Sequence, residues 1–408
     1  MDRASRRGEA PAEPASPAVG DPGRGSGASV LLLFSDTGGG HRAAANALAG
    51  AIRRTRPEAR VELFDPLIGQ GPPVVRRLAR LYPSIIRRAR PAWGPIYHSS
   101  NTRPAWAVLR TTFGGRVRQI VLQELRRRRP DLVISVHPLV NHEAAAAIMT
   151  GPRPRAAFVT VVTDLVELHR GWGSRRADLI VVPTEAARQQ MLRRGIRADR
   201  LRVVGLPVAL DFHPPGPGER EGSRRRLDLD PRLPTLLVSS GGEGSGGLQR
   251  QVAALCATDH PWQVIAVCGR NETVRQRLLE ARFPTRVAIL GFVDTMPELM
   301  RAADLVIGKA GPGAIVEALA TGLPMVLTSY LRGQETPNVG YVLSRGVGLY
   351  TPKAEQLPRV VGELLDRDAE ELRRMTRRAA GVIRPGASAE IVDTCMQVVR
   401  EARAAAPA

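Results

Sequence analysis

The residues of this chain best suited to chemistry stand at the ends of short apolar runs. His41 closes the turn Ser35-Asp-Thr-Gly-Gly-Gly-His41, directly after residues 29–34, which read as a buried strand, and just ahead of a helix expected over about 42–54. An imidazole at a helix N-terminus is held neutral by the helix dipole, so His41 is suited to accept a proton. A purely structural histidine is the plainer alternative. His137, in Ser135-Val-His-Pro138, and Asp164, in Thr163-Asp-Leu165, also end apolar runs and would line the same crevice. Asp164 could orient the base or an acceptor hydroxyl; for both residues a capping or loop-fixing hydrogen bond fits equally well.

A second group of residues is suited to anions. Gly308-Lys-Ala-Gly-Pro-Gly313 lies between an apolar run at 305–307 and a helical stretch holding Glu317. Glycines at a strand-to-helix turn let backbone N–H groups approach a phosphate at the helix start, and a diphosphate suits such a turn. The spacing is not that of a Walker loop, and an ordinary structural turn is the competing reading. Only Lys309 and Lys353 are lysines in a chain that otherwise uses arginine, which makes Lys309 stand out in the turn. Ser239-Ser-Gly-Gly-Glu-Gly-Ser-Gly-Gly247 forms another glycine-rich loop after the run at 235–239, either a ligand loop or a flexible turn. Gln334 and Glu335, beyond the run at 325–327, offer an amide and a carboxylate of the kind that grip sugar hydroxyls.

The framework that would position these groups is legible from the alternation of apolar runs with helical stretches. Runs at 29–34, 61–64, 132–136, 157–162 and 179–182 predict one doubly wound parallel sheet; those at 235–239, 264–267, 287–290, 305–307 and 324–327 predict a second. The fold class is therefore α/β with two Rossmann-like domains and a cleft between them. Residues 1–27 read as a disordered tail, 28–212 as the first domain, 213–230 as a linker around Pro214-Pro-Gly-Pro-Gly218, and 231–384 as the second domain. The helical stretch within 385–408 could cross back to the first domain.

At 408 residues the chain has length for two such cores. Its net charge of +20 permits phosphate-bearing partners, but no nucleic-acid recognition module accompanies it, and no nucleic-acid partner is expected. The three cysteines have no metal-ligand spacing, and Asp228-Leu-Asp230, the D-x-D of some sugar transferases, lies among arginines at the linker and reads as solvated surface, so no metal is expected. No apolar run approaches a membrane span or a signal peptide, which points to a cytoplasmic or peripheral protein. Residues 74–129 mix arginine with Trp93, Trp106, Tyr82, Tyr97 and Phe113. That mixture fits a surface meeting an anionic membrane, and it fits amphipathic helices packed on a sheet as well.

Taken in order, Ser35-Asp-Thr-Gly-Gly-Gly-His-Arg42, Ser135-Val-His-Pro138, Val162-Thr-Asp-Leu165, Pro183-Thr-Glu185, Gly205-Leu-Pro-Val208, Gly241-Gly-Glu-Gly244, Cys268-Gly-Arg-Asn271, Gly291-Phe-Val293, Lys309-Ala-Gly-Pro-Gly313 and Gly333-Gln-Glu335 resemble the motifs of the monogalactosyldiacylglycerol synthase and processive diacylglycerol glucosyltransferase family. The resemblance covers about residues 29–365. It implies a GT-B fold with the acceptor in the N-terminal domain and the donor in the C-terminal one. It further implies an inverting, metal-independent glycosyltransferase moving a hexose from a UDP-sugar to diacylglycerol or a related lipid. It needs no cofactor and works peripherally at the inner face of a membrane, with an anionic lipid as a candidate activator.

Carried to matching positions, His41 is the base, with Asp36 and Asp164 beside it. Ser240, Gly241, Gly242 and Glu243 form the donor loop, and Lys309, Ala310, Gly311, Pro312 and Gly313 the diphosphate turn. Glu317 meets the ribose, Phe292 and Val293 the uracil, and Gln334 with Glu335 the sugar. Trp93, Trp106 and His137 are assigned to the acceptor and membrane side. The sequence departs from the family in Ser240, where a glycine is usual, and in the arginine-rich stretch 74–129. Rival readings are a transferase acting on a lipid-linked peptidoglycan precursor, a UDP-sugar 2-epimerase of the same fold, and a non-catalytic nucleotide-sugar or lipid-binding module.

Overall fold

The computed structural model describes residues 27–36, 39–69, 77, 90–242, 244, 247–367, 369–383 and 386–404. The tail assigned to residues 1–27 lies almost wholly outside them. Two six-stranded sheets dominate the fold, and every strand pair in both is parallel. The first runs β2 (Arg60–Phe64), β1 (Ser29–Leu33), β3 (Leu132–Ser135), β4 (Ala157–Val161), β5 (Leu179–Val182), β6 (Leu201–Val203). The second runs β12 (Gly348–Tyr350), β11 (Met325–Ser329), β10 (Leu305–Lys309), β7 (Thr235–Ser239), β8 (Gln263–Val267), β9 (Val287–Leu290).

Strands covered on both faces must be apolar along their whole length, and β3, β4, β5 and β8 are buried at every position. One face of the first sheet packs on helices Gly40–Thr55 and Ala387–Ala404, through Leu48 and Ile52 from the first helix and Ile391, Cys395 and Val399 from the second. The other face carries helices Gly115–Arg128, Pro138–Met149 and Glu185–Arg193. The C-terminal helix thus lies on the first sheet, and Ser388 ties it to the interdomain crossing: its Oγ accepts from Val208 N at 2.9 Å and donates to Val208 O at 2.6 Å.

Within the stretch read as a linker, Glu219–Arg226 forms a helix against the second domain, where Arg224 pairs with Asp304 at 2.6 Å and donates to Ala302 O at 2.8 Å. The apolar cluster on this side of the second sheet takes in Leu165, Leu206 and Val208, so the two domains share part of one core.

Each sheet reverses its winding at one place. In the first the reversal falls between β1 and β3, and in the second between β7 and β10. In open α/β sheets the crevice outside the carboxyl ends of the strands at such a reversal is where ligands bind.

Candidate functional site

His41 follows β1 and His137 follows β3, so both stand at the reversal point of the first sheet. Helix Gly40–Thr55 begins at Gly39 (φ 82), which supplies no side-chain cap to the backbone N–H groups of the first turn. His41 Nδ1 is 2.8 Å from Val136 O and 3.0 Å from Thr163 Oγ1. A carbonyl only accepts, so Nδ1 carries the proton and Nε2 keeps its lone pair. Burial, only partly offset by the Val136 hydrogen bond, pulls the imidazole down to about 4. The ring is therefore neutral at physiological pH, with its basic nitrogen defined by the backbone.

Asp36 does not touch this ring. Its carboxylate pairs with Arg42 at 3.0 Å at the surface, its backbone N–H is held by Asp65 Oδ2 at 3.0 Å, and Arg42 lies 4.7 Å over the Phe34 ring. Asp65 was silent in the sequence, yet it organises the turn, since Ser35 Oγ donates to the same oxygen at 3.3 Å and Leu67 N and Ile68 N to the other at 2.9 Å.

Asp164 is buried, and its Oδ2 accepts from Trp172 Nε1 at 2.6 Å and from His169 N at 3.3 Å rather than from His41. Burial raises its pKa above the usual carboxylate value, against these hydrogen bonds. Its link to His41 is steric, through Trp172, whose ring centre is 6.1 Å from that of His41. His137 takes the capping role: its Nδ1 accepts from Leu139 N at 3.3 Å while its ring stands edge-on to His41 at 4.4 Å. Burial also holds it neutral, followed by repulsion from His41 and His169.

The assignment of Trp106 to the membrane side is corrected by the fold. Its ring is buried 5.4 Å from His169 and 5.6 Å from His142, so it fills the core beneath the crevice. Trp93 is half-buried on helix Arg90–Ser100. The large apolar side chains exposed on this domain's helices include Ile96, Val108 and Leu139, and neither composition nor spacing set them apart from core residues.

Across the cleft, the loop after β7 and the turn after β10 flank the reversal point of the second sheet. Ser240 is buried, Gly241 adopts φ 74, and Gly242 O accepts from Arg270 N at 2.8 Å; Glu243 lies outside the described residues. Strands β7 and β10 meet so closely that a Cβ on Gly308 would stand 2.2 Å from Ser239 O. A register shift between Gly308 and Lys309 re-aims the chain there. Ala310 is pinned by its N–H to Ser329 O at 2.8 Å and its carbonyl to Asn338 Nδ2 at 3.0 Å.

Helix Pro312–Ala320 then starts at Gly311 without a side-chain cap, and helix Leu248–Cys256 likewise starts uncapped at Gly247. Helix starts left open in this way, with their positive dipole ends, suit an anion. Lys309 Nζ forms an ion pair with Glu335 Oε1, and Glu335 Oε2 accepts from Leu331 N at 2.7 Å. Glu317 projects under the same turn, its carboxyl pushed up to about 7 by burial. Phe292 is 53% exposed with the Arg270 guanidinium 4.3 Å over its ring, a flat face beside Gly242; Val293 packs inward against the core. Asp228 and Asp230 lie before the start of β7, at the opposite edge from these loops.

A neutral imidazole with a free Nε2 in one crevice, facing glycine turns, open helix starts and a lysine in the other, defines a two-Rossmann-domain glycosyltransferase of the GT-B class. Solved structures share the fold over nearly the whole chain. MurG of Acinetobacter baumannii matches with TM-score 0.59 at 17% identity, over 91% of this chain and 99% of that one. The calicheamicin glycosyltransferase CalG4 matches at 0.56 and 15%, over 93% and 100%.

Sequence comparison is more specific. Residues 41–208 match the model of monogalactosyldiacylglycerol (MGDG) synthase, and residues 235–390 that of the glycosyltransferase family 28 C-terminal domain. Monogalactosyldiacylglycerol synthase 1 of Arabidopsis thaliana is 31% identical over 384 residues, covering 91% of this chain and 71% of the relative. A probable monogalactosyldiacylglycerol synthase 2 of Oryza sativa subsp. indica is 34% identical over 375 residues, covering 89% and 79%. The chain belongs to the monogalactosyldiacylglycerol synthase family.

Proposed function

We propose that this enzyme transfers a hexose from a UDP-sugar to diacylglycerol with inversion and without a metal, at the surface of an anionic membrane. The observation that carries the reading is the fixed tautomer of His41, whose Nδ1–H is committed to the Val136 carbonyl at 2.8 Å, leaving Nε2 as a base in the crevice. The acceptor hydroxyl gives its proton to Nε2 as its oxygen bonds to the anomeric carbon from the face opposite the leaving group. The bond from that carbon to the UDP oxygen breaks in the same step. Charge building on the diphosphate meets the open helix starts at Gly311 and Gly247 and the Lys309 ammonium, which take the place of a divalent ion.

The ion pair between Lys309 and Glu335 joins the side chain assigned to the diphosphate to the one assigned to the sugar. Glu317 lies below the turn for the ribose, with Gln334 and Glu335 for the sugar hydroxyls. Phe292 offers a face for the base. Among the described residues no helix is long and apolar enough to cross a membrane. Contact with lipid is assigned to the exposed apolar side chains Ile96, Val108 and Leu139 on this domain's helices.

The test is transfer of label from UDP-galactose and UDP-glucose to diacylglycerol in anionic liposomes, in the presence of EDTA, with wild type beside His41→Ala. Glycolipid formed by the wild type and reduced about 10²- to 10⁴-fold in the variant is the expected result. Binding of UDP with no labelled lipid would leave the fold and overturn the acceptor, and activity that vanishes with EDTA would overturn the metal-free step.

A further inference from the structure

At the amino end of the first sheet, arginines from distant parts of the chain converge on one cavity. Arg129 follows helix Gly115–Arg128, Arg153 and Arg155 stand in the connection from helix Pro138–Met149 to β4, and Arg403 is near the end of helix Ala387–Ala404. The cavity has a volume of about 190 Å³. Leu125, Ile148 and Val399, all buried, give it apolar walls, and Asp131 is its one lining carboxylate. Asp131 directly precedes β3, and Ala157, also in the lining, opens β4. His41 is held by Val136 and Thr163, beyond the carboxyl ends of these same two strands. The four residues of β3, at about 3.3 Å each, therefore separate the cavity from the crevice.

The carboxylates at hand are already engaged. Asp131 accepts from Ser29 N at 2.8 Å with one oxygen and pairs with Arg403 at 2.9 Å through the other. Asp178 holds Arg155 with both oxygens, at 2.9 and 2.7 Å, and also accepts from Phe158 N at 2.8 Å. Among the described residues no carboxylate pairs with Arg129 or Arg153. A planar guanidinium matches the oxygens of a phosphate, and a concave site lined by one sign of charge over apolar walls focuses its field on a counter-ion. Arg129 also stands in the left-handed region (φ 43, ψ 56) at a helix end where glycine is the usual residue. A side chain is strained there, and such strain is characteristic of ligand sites.

We propose that this cavity is a second anion site, separate from the donor cleft, for a small soluble phosphate monoester carrying an apolar portion. Its phosphate is bound by the Arg129 and Arg153 guanidinium groups, and its carbon atoms rest on Leu125, Ile148 and Val399. Room for roughly six waters suits a phosphate with one ring or a short chain. Leu139, assigned to lipid, begins helix Pro138–Met149 and Ile148 ends it, which sets the cavity apart from that residue and favours a soluble ligand over a lipid headgroup. The proposal does not rest on the UDP-sugar reading.

The test is calorimetric titration of the full chain, in excess UDP to fill the donor cleft, with inorganic phosphate and with phenyl phosphate. Phenyl phosphate is expected to bind about tenfold tighter than inorganic phosphate, because its ring reaches the apolar walls. In Arg129→Gly both affinities are expected to fall about tenfold or more, while thermal unfolding shows no loss of stability, since glycine adopts the left-handed conformation without strain. Arg153→Gln is expected to give a similar loss, and it decides alone should Arg129→Gly fail to fold. Wild type that binds neither probe, or affinities that ignore both substitutions, overturn the site; equal affinity for the two probes overturns the role of the apolar walls. Sedimentation with vesicles of phosphatidylglycerol and phosphatidylcholine separates the sources. Wild type that binds neither soluble probe, yet sediments with vesicles through Arg129 and Arg153, overturns the assignment to a soluble ligand. Loss of binding on substitution of Arg129 supports the site whether or not UDP occupies the cleft, so a failed donor reading leaves this result standing.

Discussion

Replacing His169 by asparagine is expected to make the protein less stable at neutral pH and more stable than wild type in mild acid. His169 is 5% exposed, and burial, with help from the Arg194 charge, lowers its pKa from 6.5 to about 4. Between those values the unfolded chain binds a proton that the folded chain refuses. Stability therefore falls as pH drops through this window, by about 1.4 kcal/mol per pH unit and about 3 kcal/mol across it. Above pH 6.5 the histidine adds no pH dependence. His41 and His142, both lowered to about 4, and His137, lowered well below its ordinary value, add slopes of the same sign.

Asparagine can take over the acceptor role of His169 Nδ1 toward Gly171 N, 3.1 Å away. It cannot fill the space between Trp106 and Tyr97, whose ring centres lie 5.4 and 5.7 Å from the imidazole. That loss is about 1–2 kcal/mol at pH 7. At about 1.4 kcal/mol per unit the deficit is recovered roughly one unit below 6.5, so the two stability curves cross between about pH 5 and 6. Urea unfolding followed by tryptophan fluorescence from pH 7.5 to 4.5 measures both curves. A stability gap that stays constant with pH, or a wild type that gains stability in acid, would refute the argument from buried neutral imidazoles.

Three further outcomes follow from the site. Lys309→Met removes the ammonium from the diphosphate turn and is expected to weaken UDP binding by about ten- to a hundredfold, read by calorimetry; an unchanged affinity would leave the open helix starts as the sole anion site. Thr163→Val removes the hydroxyl 3.0 Å from His41 Nδ1 and is expected to lower kcat several-fold with donor KM unchanged, with Thr163→Ser restoring it; an unaltered kcat would leave the Val136 carbonyl as sufficient to orient the ring. Gly333→Ala combines a strained φ of 85° with a Cβ 3.1 Å from His98 Nε2 and 3.2 Å from Tyr97 Cδ1, both on the first domain's helix Arg90–Ser100, and is expected to cost about 1–2 kcal/mol. That cost should appear as a raised KM for the donor, and wild-type kinetics would show that the interdomain seat is loose.

Much of the architecture was legible because parallel strands buried on both faces must be apolar throughout, so β1, β4, β5 and β7 announced themselves as unbroken runs. The strands that escaped, β6 and β12, have three residues each at sheet edges, and Arg202 and Val203 of β6 are exposed. Too few apolar positions remain there to stand out from a loop. The glycine turns were legible for a local reason, since strand, turn and helix are contiguous in the chain. What orders the His41 ring was not local: Val136 and Thr163 reach it from 95 and 122 residues away, brought in by neighbouring strands. Trp106 was misplaced because an amphipathic helix rich in arginine looks the same whether its ring meets lipid or a histidine cluster, and the fold turned it inward.

The hydrogen-bonded pair Val208 and Ser388 has a mechanical consequence. The polypeptide passes from the first domain to the second near Val208 and returns near Ser388, so both crossings are fastened at one spot. The same place is where the two domains share core, since Val208 and Leu206 belong to the apolar cluster of the second domain. The last helix of the chain, packed on the first sheet through Ile391, Cys395 and Val399, thus makes the C-terminus a structural part of the first domain, and losing it would strip part of one face of that sheet as well as the Ser388 clasp.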